Sequence, residues 1–149
     1  MRLLRLLAAV ALLLPPLANQ IAWAQETPPL TLELNKLEPV QATSGGAAGC
    51  RAYLVASDPE GGPKVDAMRL DLVLFGTDGV IARRIALDVG PVQPGRMQVR
   101  PFELRDLPCD GIGQILVNDA LICKIGGADQ NDCLDRVKTA SRVSAKLVK

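Results

Sequence analysis

Residues 68–89 read MRLDLVLFGTDGVIARRIALDV, and this stretch has the pattern of two β-strands joined by a tight turn. Apolar and polar residues alternate on both sides of the turn, which is the period-two pattern of half-buried strands. The pair Asp78-Gly79 favours the positive φ angles of a type I′ turn, which suits a two-residue hairpin loop. We therefore predict strands over residues 68–75 and 80–89, joined at Asp78-Gly79.

The register of this hairpin follows from its loop. With Asp78 and Gly79 at the tip, one face pairs apolar residues and the other pairs opposite charges, an outcome that a slip of one residue would destroy. The apolar pairs are Met68 with Val89, Leu70 with Leu87 and Leu72 with Ile85, and the charged face places Arg69 opposite Asp88 and Asp71 diagonal to Arg84.

Two adjacent arginines in this hairpin are candidates for contact with a partner. Arg83 falls opposite Leu74 at the end of the apolar face, where its charge must reach water or an acidic surface. Arg84 has Asp71 as an intramolecular partner. The ordinary interpretation is that Arg83 lies at the edge of the apolar face with its guanidinium in water. The functional interpretation is that it anchors a partner protein.

Turn residues separate five further strand candidates from this hairpin. They are residues 30–37 with a possible bulge, 50–56, 97–104 with either an edge strand or a bulge at Pro101, 112–123 as a central strand, and 143–147. A short helical turn is expected over residues 133–137, and a C-terminal helix is the alternative to the last strand. Asn118 and Asp119 interrupt the central strand, so they have either a buried role or a binding role.

About seven short strands without a long helix predict a single all-β domain over residues 30–149. The expected architecture is a two-sheet antiparallel sandwich of immunoglobulin-like type. In that topology the second and sixth strands run in the same direction in facing sheets, so their first residues lie near each other.

The four cysteines are Cys50, Cys109, Cys123 and Cys133. An even number without a CxxC pair predicts two structural disulfides in an oxidising compartment. Three pairings are possible. Because Cys50 begins the second strand and Cys109 precedes the sixth, we predict Cys50–Cys109 across the sheets and Cys123–Cys133 as a local clamp.

The N-terminus has the pattern of an export signal. Arg2 and Arg5 precede a short apolar run, residues 6–14, and Ala22-Trp23-Ala24 offers small residues for signal peptidase. We expect cleavage after Ala24, a mobile leader over residues 25–29, a periplasmic location and no membrane span after removal of the signal.

Composition excludes several function classes. The chain has no histidine, which excludes Ser-His-Asp and Cys-His nucleophile systems and most catalytic zinc sites. A formal net charge of +1 is too small to create an electrostatic field that attracts nucleic acid. Few aromatic residues are available to stack on a planar cofactor or a sugar, so we expect no catalytic residue, cofactor or metal.

Five segments carry a resemblance to a known family, and they are residues 34–39, 50–53, 70–75, 78–84 and 116–119. In these segments the chain resembles the small exported bacterial proteins labelled "Tat pathway signal sequence domain protein". The resemblance implies an exported protein and brings no catalytic residues. Arg2 and Arg5 are not adjacent, which departs from a twin-arginine signal. The hairpin also looks, more distantly, like bacterial immunoglobulin-like envelope domains.

Two functions from different classes fit this pattern. The first is a non-enzymatic binding or structural accessory of the periplasm or cell envelope with an unknown protein partner, acting through charged rims or strand addition. The alternative is an inhibitor of an exported hydrolase that uses the loop 108–113 as a rigid plug. An enzyme that uses only carboxylates, such as Glu103 and Asp110, ranks third.

Overall fold

The computed structural model describes residues 30–42 and 48–149. The expected signal over residues 1–24 and leader over 25–29 lie outside the described residues, so they stay predictions. No helix in the described part is long and apolar enough to cross a bilayer.

Nine strands and two one-turn 3-10 helices make up the described chain. The strands are β1 (Leu30–Val40), β2 (Gly49–Ser57), β3 (Val65–Gly76), β4 (Ile81–Asp88), β5 (Met97–Leu104), β6 (Ile112–Ile125), β7 (Ala128–Asp129), β8 (Val137–Ser141) and β9 (Lys146–Val148). The 3-10 turns are Cys109–Gly111 and Cys133–Arg136, the second where a helical turn was expected.

The strands form two packed sheets, which confirms the predicted all-β sandwich. The first sheet has the order β5-β2-β1-β8, and the second has the order β4-β3-β6-β7 with β9 also paired to β6. Alternate residues of β1 and β2 are buried, as expected for strands with one face on a core, whereas β3 is buried without a break from Leu70 to Leu74. Leucines dominate that core, and the largest fully buried ones are Leu32, Leu34, Leu54, Leu70, Leu72, Leu74 and Leu104.

The C-terminal segment makes the sheets mixed rather than purely antiparallel. β8 pairs parallel with β1, and β9 pairs parallel with β6. The chain therefore crosses from one sheet to the other along one side of the sandwich. Val137, Ala145 and Leu147 are buried in this crossing, so it covers the side of the core between the sheets. Local alternation predicts a strand here, but it carries no information on which neighbour the strand joins.

The hairpin of β3 and β4 has the predicted register along most of its length. Leu70 opposes Leu87 and Leu72 opposes Ile85. The turn differs from a type I′ turn: the amide of Gly79 donates to the Gly76 carbonyl, and only Gly79 has positive φ there, at 80°. This is a three-residue loop with a glycine bulge. A register shift between Leu74 and Phe75 compensates for the extra loop residue and restores the expected pairs.

Both predicted disulfides are present. Cys50–Cys109 joins the first residues of β2 to the turn before β6, with the two Cα atoms 4.9 Å apart. Cys123–Cys133 ties the end of β6 to the second 3-10 turn. The beginnings of the second and sixth strands therefore lie close together, as predicted. Two disulfides fit an oxidising extracellular compartment.

The central strand is not covered on both sides along its whole length. In its pairing with β3, β6 has register shifts at Gly113, Asn118 and Leu121. Leu121 and Ile122 are 51% and 48% exposed. Bulges turn side chains away from the alternating pattern, so a continuous apolar run in the sequence does not translate into continuous burial.

Candidate binding face around Arg84

The outer face of the second sheet holds a polar cluster that hydrogen bonds fix in place. We name this surface the Arg84 face; its residues on β3 and β4 are Asp71, Val73, Phe75, Ile81, Arg84 and Ala86. They share a face because Arg84 opposes Val73, Ala86 opposes Asp71 and Ile81 opposes Phe75, while side chains of a strand alternate between faces.

Arg84 and Asp71 form a bidentate ion pair at the centre of this face. Arg84 Nε donates to Asp71 Oδ1 and Arg84 Nη2 donates to Asp71 Oδ2, each at 2.7 Å. The Asp71 side chain is only 4% exposed, whereas the Arg84 side chain is 66% exposed. The Asp71 carboxylate is therefore buried against the sheet, whereas the Arg84 guanidinium is exposed to solvent.

Asn118 completes the cluster from the neighbouring strand. Its Nδ2 donates to Asp71 Oδ2 at 2.7 Å, and it can do so because the β6 register shift lies at Asn118. The hydrogen bond from Arg84, together with that from Asn118, lowers the pKa of Asp71 despite its burial. The same pairing raises the pKa of Arg84. Both groups therefore stay charged, and the arginine is held in one geometry.

Apolar side chains surround this cluster. Val73 is buried on the outer side, between Arg84 and Leu116 in register, and Phe75 is half-buried. Ile81, which lies opposite Phe75, is 60% exposed. An exposed arginine fixed among apolar residues is the composition found at the centre of protein interfaces.

The structure places the predicted candidate residues at different sites. Arg83 lies opposite Leu74, as expected, and is half-buried at the rim of the core face. It belongs to no ion pair among the described residues within 4.0 Å. Arg84 points to the opposite face of β4, so the two arginines do not act together.

Of the two roles considered for Asn118 and Asp119, the buried one is wrong. Both residues are exposed, because the bulge turns them out of the core. Asp119 accepts a hydrogen bond from the amide of Ala120, and Asn118 binds Asp71 instead of the backbone. A polar residue inside an apolar strand indicates that its side chain needs a hydrogen-bond partner. The sequence does not identify that partner as Asp71 of β3.

The outer face of the first sheet is charged, and its charges are mutually paired. Tyr53 Oη donates to Glu38 Oε2 at 2.6 Å, Lys36 binds the other oxygen of Glu38 at 2.8 Å, and Arg51 binds Glu103 at 2.5 Å. The hydrogen bond from Arg51 lowers the pKa of Glu103. A general acid for glycoside hydrolysis needs a raised pKa, so this environment does not suit Glu103 for that role.

The loop considered as an inhibitory plug, residues 108–113, contains the first 3-10 turn and is joined to β2 through Cys109. Within residues 30–42 and 48–149, no group of three or more acidic, cysteine or histidine side chains is arranged to hold a metal ion. No family model, curated protein or solved structure matches this chain.

Proposed function

We propose that this chain is a non-enzymatic binding domain of the bacterial periplasm or cell envelope that contacts a protein partner through the Arg84 face. The observation that carries the proposal is the bidentate pair of exposed Arg84 with buried Asp71, on the same face of the hairpin as the exposed side chain of Ile81.

The energetics of association favour this face. An arginine that is already fixed by two hydrogen bonds loses little conformational entropy when a partner binds it. Its Nη1 has no side-chain acceptor among the described residues, so it is available to a carboxylate or carbonyl of the partner. Exposed Ile81 and half-buried Phe75 supply the hydrophobic part of the contact.

The compartment is inferred from the two disulfides. Bridges of this kind persist in exported proteins and are rare in the reducing cytosol. The apolar run of residues 6–14 with the Ala22-Trp23-Ala24 site, and the resemblance to exported Tat-labelled bacterial proteins, support the same location.

Chemical crosslinking in periplasmic extract tests the proposal with a matched pair of variants. Ile81→Asp places a charge on the Arg84 face, and Val99→Asp places the same charge on an edge strand of the first sheet. The two side chains are exposed to a similar extent, 60% and 54%. We expect a discrete adduct that forms with the wild type and Val99→Asp but not with Ile81→Asp.

Circular dichroism must first show that both variants fold. An adduct that survives Ile81→Asp, or that Val99→Asp removes equally, would contradict the proposed binding face. A defined turnover by the purified protein would contradict the non-enzymatic assignment.

A further inference from the structure

The second sheet has an unpaired stretch of strand edge. β9 pairs with β6 at Gln114–Leu116, and β7 pairs with β6 at Lys124–Ile125. Between these two short strands, residues 117–122 have β3 on one side and no strand of the described chain on the other. Unpaired backbone groups at such an edge can pair with an added strand.

This edge forms one wall of a cleft. The opposite wall is the loop between β7 and the second 3-10 turn, which the Cys123–Cys133 bridge holds in place. The cleft has a volume of about 540 Å³, within the range of roughly 300–1,000 Å³ that is usual for ligand sites. Leu121 and Ile122 line it and are half-exposed, so it offers apolar contact as well as backbone groups.

The cleft is acidic. Four carboxylates line it: Asp119, Asp129, Asp132 and Asp135. Lys124 lies 3.8 Å from Asp129, and Arg136 lies 3.2 Å from Asp132. Asp119 and Asp135 have no ion-pair partner within 4.0 Å among the described residues, and the charge of Asp119 also interacts with that of Arg84. Asp135 therefore has a negative charge that no described cation pairs with, and Asp119 lies between this cleft and the Arg84 face.

The chain itself places an ammonium group at the rim. Lys149 Nζ donates to the carbonyl of Leu134 at 2.6 Å, and Leu134 lines the cleft. Lys149 therefore shows that this wall offers a carbonyl acceptor to an ammonium group.

We propose that this cleft binds an extended segment of a partner protein that carries lysine or arginine, which adds to the free edge of β6 as a short strand. The backbone supplies the pairing, Leu121 and Ile122 contact apolar side chains, and Asp119 and Asp135 receive the cations. The four carboxylates of the cleft favour a basic segment over a second copy of this chain, whose formal net charge is only +1.

Peptide binding measured by fluorescence anisotropy at low salt tests this site. The probe is a labelled six-residue peptide that alternates lysine and valine, and the control peptide replaces every lysine with glutamate. We expect the basic peptide to bind and the acidic one not to bind. Added salt should weaken the complex, because exposed ion pairs are screened.

A pair of double variants separates the cleft from the overall charge. Asp119→Asn with Asp135→Asn should weaken binding about tenfold, since each exposed ion pair contributes a factor of roughly two to five. Asp88→Asn with Asp110→Asn changes the net charge equally at sites outside the cleft and should leave binding unchanged. Equal weakening by both double variants would overturn the proposal.

Backbone methylation tests the added strand. N-methyl groups on one alternate set of peptide amides should abolish binding, because only that set faces β6, while the other set should be tolerated. Binding that neither set affects, or no binding of the basic peptide at all, overturns the proposal. Ile81→Asp should not alter peptide binding, so failure of this cleft and failure of the Arg84 face are distinguishable.

Discussion

Replacing Cys50 and Cys109 with alanine removes the bridge that closes the longer covalent ring. The two cysteines are 59 residues apart in sequence. On the chain-entropy model a ring of this length stabilises the folded protein by about 4 kcal/mol, because the bridge restricts the unfolded chain. Small domains have a total stability of roughly 5–15 kcal/mol, so this variant should lose a large share of its own.

The second bridge provides the internal comparison. Cys123 and Cys133 are only 10 residues apart, and the same model gives about 3 kcal/mol for that ring. Alanine at both positions removes the same atoms as in the first variant. The expected ranking is therefore a larger loss for Cys50→Ala with Cys109→Ala than for Cys123→Ala with Cys133→Ala.

Urea unfolding followed by circular dichroism measures both losses at neutral pH. We also expect a steeper dependence on urea in both variants, since an unfolded chain without a bridge exposes more surface. A loss below about 1 kcal/mol for the longer ring, or a reversed ranking, would refute the ring-entropy reasoning. Full stability of the reduced wild-type protein would also remove the physical basis for assigning it to an oxidising compartment.

Three further outcomes are expected from single substitutions. The Asp58 side chain is buried, and its Oδ2 has no hydrogen-bond partner among the residues that the structure describes. Burial raises its pKa, so Asp58→Asn should gain about 1 kcal/mol at neutral pH by urea titration. That gain should vanish as the pH falls below the carboxyl pKa of the unfolded chain, where both states are protonated, and a variant that is less stable at both pH values contradicts it. Arg84→Gln should raise the pKa of Asp71 in an NMR titration, while Arg69→Gln should leave it unchanged. Gly79→Ala should cost about 1–2 kcal/mol by thermal unfolding, because alanine is strained at the φ of 80° found there, and an unchanged melting temperature would contradict the turn geometry.

Alternation of side chains made much of the fold predictable. A strand with one buried face repeats every two residues, so the hairpin of residues 68–89 specified its own register. Pro101 has no amide hydrogen to donate to a neighbouring strand, which predicted an edge strand or a bulge, and it lies on β5 at the edge of the first sheet. The cysteine pairing followed from the position of each cysteine relative to its strand.

The sequence by itself therefore determined the all-β class, the register of the central hairpin and both bridges, because each depends on neighbours in sequence or on strand order. The parallel placement of β8 and β9, the bulge that brings Asn118 to Asp71, and the acidic cleft beside β6 were decided only by the tertiary structure. Each of these features joins segments that are far apart in the chain. The alternation of side chains within one strand does not specify which distant strand pairs with it, or whether its edge stays unpaired.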